Sequence, residues 1–88
     1  MLTKEFTVTN AVGLHARPAS VLTQLAGKYE SEIFIKKANA QVNVKSILSL
    51  LSLGARKGDK IVIEVQGSDE EAALEAVIGY LASLGDND

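Results

Sequence analysis

The chain has 88 residues, 47% of them hydrophobic and 23% charged, with a formal charge of −2, one histidine and no cysteine. That length builds one hydrophobic core, so a single domain over residues 1–88 is expected, and the composition excludes a disordered or fibrous chain. The sequence pI of about 5.3 argues against a nucleic-acid partner, and the lack of cysteine removes disulfides and thiolate metal sites, so no metal is expected.

Met1–Glu5 has no signal-peptide character, and the longest apolar stretch, Ile47 to Ala55, is interrupted by serines and a glycine. A cytoplasmic protein without membrane insertion is therefore expected. So small a core leaves little room for a deep cavity, which places function on the surface.

Glu5 to Asn10 alternates, with Phe6 and Val8 on one side, and predicts a first strand. Gly13 breaks that period. From Ala16, the residues Ala19, Val21, Leu22, Leu25 and Ala26 follow helical spacing as far as Gly27. Pro18 fits only the first turn of such a helix, so His15 stands at its entrance. Ile33 and Ile35, then Val42 and Val44, predict a strand pair around Lys37-Ala38-Asn39-Ala40, with Asn39 taking the positive φ of the turn. Ser46 and Gly54 bracket a short second helix over Ile47–Leu53 as cap and stop. Ile61, Ile63 and Val65 predict a fourth strand. Ser68 followed by Glu71 has the spacing of a capping box opening a third helix. The apolar stripe Leu74, Val77, Ile78, Leu81 and Leu84 carries that helix to Gly85, and Asp86-Asn87-Asp88 is expected to fray. The order βαββαβα implies an α+β fold, an open-faced sandwich of a four-stranded sheet with its three helices on one face.

Gly13-Leu14-His15-Ala16-Arg17-Pro18-Ala19 places an imidazole beside the unpaired amides of a helix start and a guanidinium. The neutral ring is the form that can attack phosphorus. A phosphate on the ring could then accept from amides near Ala16 and Arg17 and from the Arg17 side chain. Hydrogen bonds to charged groups contribute about 1.5 to 3 kcal/mol each, enough to orient a phosphate without trapping it. A surface histidine near a helix cap with a solvated arginine has the same spacing, and spacing alone does not separate the two.

The segment GLHARPA resembles the active-site segment of HPr, the histidine-containing phosphocarrier family of the bacterial phosphoenolpyruvate-dependent sugar phosphotransferase system. The similarity extends over essentially the whole chain, including Lys45-Ser46-Ile47-Leu48 and Ser52-Leu53-Gly54. It implies a carrier rather than a true catalyst, in which His15 takes phosphate at Nδ1 from enzyme I and passes it to the IIA domains of sugar permeases. Arg17 would steady the phosphate and Pro18 would set the helix start. The implied sheet is antiparallel, with the fourth strand between the first and second. A monomer without cofactor is expected.

Ser46 reads as a helix cap contributing about 0.5 to 2 kcal/mol. The resemblance also implies a regulatory phosphorylation site there, served by an HPr serine kinase/phosphorylase and read by a catabolite control repressor. A phosphate at this helix start adds roughly −1.5 to −2 charge without requiring refolding. Ile47, Leu48 and Leu51 cannot all be buried on so short a helix, so they form a candidate docking patch near Arg17 and Ser20, whereas Leu50 and Leu53 belong to the core. Two features depart from the family pattern: Val12 stands where a polar residue is usual, and the hairpin lacks the asparagine-glycine turn.

An alternative from another class is a regulatory module acting by protein binding, either the nitrogen-branch paralogue or a catabolite co-regulator. The acidic final helix is somewhat similar to the former, while the latter lacks the active-site histidine. A hydrolase of acyl phosphates lacks a second catalytic group near His15.

Overall fold

The computed structural model describes residues 1–86 and 88. Strands β1 (Leu2–Thr7), β2 (Glu32–Lys37), β3 (Ala40–Asn43) and β4 (Lys60–Gln66) alternate with helices α1 (Ala16–Ala26), α2 (Ile47–Leu53) and α3 (Glu70–Ser83) in the order β1-α1-β2-β3-α2-β4-α3. The strands form one antiparallel sheet ordered β1-β4-β2-β3. The last strand thus inserts between the first two, as the family resemblance implies.

Alternation along the strands decides where the core lies. Ile33, Ile35, Ile61, Ile63 and Val65 are fully buried on one face and pack with Leu22, Leu50, Val77 and Leu81 of the three helices. Their neighbours Glu32, Lys36, Lys60 and Gln66 are exposed on the other face, so all three helices cover one side of the sheet. Burying a side chain such as Leu22 or Ile35 contributes about 1.5–3 kcal/mol, and this packing holds together a chain without disulfides.

Several boundaries differ from the sequence expectation. β1 is Leu2–Thr7, not Glu5–Asn10, because its register is set by pairing with β4 from Leu2↔Val65 to Thr7↔Lys60. Beyond Thr7, Val8 stays buried and bonds to the Gly58–Asp59 turn, while Asn10 belongs to a loop. In the hairpin the positive φ falls on Ala38 (52°), not Asn39, because the Lys37↔Ala40 pair makes Ala38 the first loop position. On α1, Val21 is exposed, since the buried face runs through Pro18, Ala19, Leu22 and Ala26.

The capping box at α3 does not form. The N-cap is Asp69, whose carboxylate is engaged across the fold with the Glu30 amide and with the Ser31 amide and hydroxyl. Ser68 Oγ donates to Glu30 instead, and Glu70, not Glu71, reaches back to the Gly67 amide (3.3 Å). A tertiary clamp outweighs the local cap, because one carboxylate satisfies three donors. The hydrogen bonds to Ser31 and Glu30 hold the Asp69 carboxyl below the usual range.

α3 ends at Ser83, two residues before the expected stop, and Leu84 turns extended (ψ 127°). The expected fraying is not seen at Asp88, which bonds Gly85 through its amide and its carboxylate. Asn87 lies outside the described residues.

Candidate functional site

The loop before α1 is held by backbone geometry. Gly13 has φ 74°, and a Cβ there would collide with the Ala55 carbonyl oxygen and come within 2.8 Å of Arg56 Cα. Glycine is required on both counts: the left-handed conformation and the close approach of segment 55–56. Leu14 is buried and its amide donates to the Ala55 carbonyl at 2.9 Å. Segment 54–59 is itself fixed: Lys37 Nζ reaches the Gly54 carbonyl (3.0 Å) and Asp59 (3.0 Å), and Asp59 accepts from the Arg56 amide (2.8 Å). The Arg56 amide and Lys37 together lower the Asp59 carboxyl below its usual range.

His15 is the N-cap of α1, with extended backbone (φ −82°, ψ −169°) and no side-chain capping bond. The first intrahelical bond runs from Ala19 N to His15 O, so the Ala16 and Arg17 amides lack helical acceptors while Pro18 has no amide to lose. No acidic residue stands in the first turn, in contrast to α3 with Glu70 and Glu71. The positive end of α1 is therefore not neutralised by its own carboxylates. His15 is half-buried, and its Nε2 is buried without a hydrogen-bond partner among the described residues. Arg17 is exposed two residues further on.

The site has neighbours that sequence periodicity does not reveal. Tyr80 on α3 has its phenol pushed up by burial and by the Asp88 carboxylate, with Arg17 opposing, so both charged groups lie within electrostatic reach of the phenol. Asn10 is only 2% exposed. Its amide donates to the Gly13 carbonyl, and more distantly to that of Asp88 (3.5 Å). The contact with Asp88 joins residues 78 apart in the chain, whereas Gly13 is only three residues from Asn10; the local signal there is a polar residue where strand alternation ends.

The second segment lies on α2. Ser46 is its half-buried N-cap, and its Oγ accepts from the Ser49 amide at 3.3 Å. Gly54 closes the helix in the left-handed conformation (φ 69°). Leu50 and Leu53 are buried, while Ile47, Leu51 and above all Leu48, 77% exposed, face outward. Ser20 is half-buried in the second turn of α1, which packs against α2. Val12 and Val21 are also exposed, so apolar surface extends onto the His15 loop and α1. Among the described residues no helix is long and apolar enough to cross a membrane.

Comparison with known proteins matches residues 2–83 to the family model PTS-HPr, described as the PTS HPr component phosphorylation site. The chain is 42% identical over 81 residues to the HPr-like protein Crh of Halalkalibacterium halodurans, covering 92% of this chain and 96% of that one. It is 37% identical over 83 residues to the phosphocarrier protein HPr of Cupriavidus necator, covering 94% and 93%. Among solved structures it resembles HPr-C-His from Thermoanaerobacter tengcongensis, with a TM-score of 0.90, 38% identity and 94% and 93% coverage. An HPr dimer from the same organism matches with a TM-score of 0.75, 40% identity and 89% and 90% coverage.

Proposed function

Because this chain belongs to the HPr family of phosphotransferase-system phosphocarriers, we propose that residues 1–88 act as one cytoplasmic carrier domain that takes phosphate on His15 from enzyme I and gives it to IIA domains. The observation that carries the reading is the His15 ring at the mouth of α1, with Nε2 buried and no acidic residue in the first turn. In the neutral tautomer the buried Nε2 keeps the proton and Nδ1 presents its lone pair. Nδ1 attacks phosphorus in line, the bond from phosphorus to the donor breaks, and the oxygens turn toward the Ala16 and Arg17 amides and the Arg17 guanidinium. The same bonds reverse on delivery, so the carrier works with a modest stabilisation of the loaded state. Every group in this scheme comes from one chain, which suits a monomer.

Incubation with enzyme I and phosphoenolpyruvate tests the proposal. An acid-labile, base-stable phosphate should form on the wild type and be absent from His15→Ala; an unchanged signal in the variant would end the reading.

Ser46 is proposed as a regulatory site for a serine kinase/phosphorylase, with a catabolite control repressor as the reader of the modified surface. Its hydroxyl lies next to the exposed Ile47 and Leu48, so a doubly charged group there changes the face that partners meet. Ser46→Asp should accept phosphate from enzyme I more slowly while keeping the wild-type thermal midpoint within a few degrees; equal rates would remove this part of the proposal. The relative named HPr-like protein Crh supports a second reading, a co-regulator acting by binding. The retained His15 favours the carrier.

A further inference from the structure

Two polar residues, Ser31 and Asn10, are buried among the described residues. Ser31 is accounted for by the Asp69 clamp between the β2 approach and α3. Asn10 works closer to the site. Its Nδ2 donates to the Gly13 carbonyl at 2.9 Å and, more weakly, to the Asp88 carbonyl at 3.5 Å. The Gly13 carbonyl and the Leu14 amide are the two ends of one peptide plane, and that amide donates to the Ala55 carbonyl at 2.9 Å. A planar unit is thus gripped at both ends one peptide before His15.

The grip matters because the plane hinges on glycine. A peptide plane turns by counter-rotation of ψ on one residue and φ on the next, and the permissive map of Gly13 offers little steric resistance. Hydrogen bonds therefore carry the restraint. We propose that Asn10 is a positioning residue for phosphoryl transfer: by holding the Gly13 carbonyl it fixes the Gly13–Leu14 peptide, and through it the direction in which His15 presents its ring. The inference rests on His15 as the phosphoryl acceptor. Leu14 stays anchored by its buried side chain, so release of the carbonyl changes orientation and leaves the fold in place. Misplacement of a reacting group by about 1 Å costs on the order of 10²-fold in rate.

Asn10→Ala tests this in single-turnover transfer from phosphorylated enzyme I at saturating donor, where docking no longer limits the rate. Acceptance on His15 should slow at least about tenfold, with faster hydrogen exchange at the Leu14 amide and a cooperative thermal transition retained. A folded variant with the wild-type saturating rate overturns the inference. Should the variant not fold, Asn10→Ser is read the same way. Wild-type exchange provides a further check: a Leu14 amide exchanging at an unprotected rate overturns the inference whatever the variants do. His15→Ala run alongside separates the premises, because phosphate retained there defeats the carrier reading itself, whereas its loss with a normal Asn10→Ala rate defeats only the role of Asn10.

Discussion

Arg17 is exposed on the first turn of α1, beside the Ala16 and Arg17 amides that lack helical acceptors, and within electrostatic reach of Tyr80. Under the proposed function a guanidinium placed there would form charge-assisted hydrogen bonds only once a phosphate arrives, so its effect would belong to the transition state and the loaded carrier. Arg17→Ala should slow transfer about ten- to hundredfold, the equivalent of one hydrogen bond of about 1.5–3 kcal/mol to a charged group. Arg17→Lys should recover part of this, as a point charge without the planar fork. Stopped-flow or quenched-flow transfer from enzyme I measures both, and a wild-type rate for Arg17→Ala would show that the amides alone hold the phosphate. The placement of His15, Arg17 and Ser46 at helix boundaries is legible from sequence, because each boundary is marked by proline, serine or glycine within a few residues. The parts of Asn10 and Tyr80 are not. Asn10 holds Gly13 within its own loop and Asp88 at the far end of the chain, and Tyr80 answers to Asp88 and Arg17; apolar periodicity reports none of these contacts.

At the level of elements, local and tertiary signals compete, and α3 shows which prevails. Ser68 has the local pattern of a cap, yet Asp69 becomes the N-cap and commits its carboxylate to Glu30 and Ser31. No local pattern reports a partner 38 or 39 residues away. By contrast α2 follows its sequence in full, because Ser46, the apolar run and Gly54 all lie within one short segment. A pH dependence follows from the Asp69 clamp. Its carboxyl is depressed in the folded state, so the stability it contributes is complete above the ordinary carboxylate pKa of about 3.9 and is lost as pH falls through the lower folded value. Asp69→Asn should lower the unfolding midpoint at neutral pH and flatten the acid limb of midpoint against pH. Denaturant melts between pH 2 and 7 read this out, and an acid limb of unchanged steepness would assign the acid sensitivity to other carboxylates, beginning with Asp59.

Over the whole molecule, one face of the sheet and all three helices build the core, and the His15 loop, α1 and α2 share the surface that carries the candidate site. The strand order was legible only through the family resemblance, because alternation locates strands without saying which of them pair. The apolar residues of α2 divide by exposure: Leu50 and Leu53 serve the core, while Leu48 is exposed near Ser46. Leu48→Asp should therefore leave the thermal midpoint nearly unchanged and weaken association with enzyme I and with IIA domains by at least about 1 kcal/mol, the loss expected of a docking residue. Calorimetric titration with each partner measures this, and undiminished affinity for both would move the docking face elsewhere. The most direct test of the whole account is nitrogen-15 and phosphorus-31 NMR of the protein labelled at histidine and phosphorylated by enzyme I. Coupling of phosphorus to Nδ1 of His15 is the predicted result; coupling to Nε2, or a phosphate on any other residue, would contradict it.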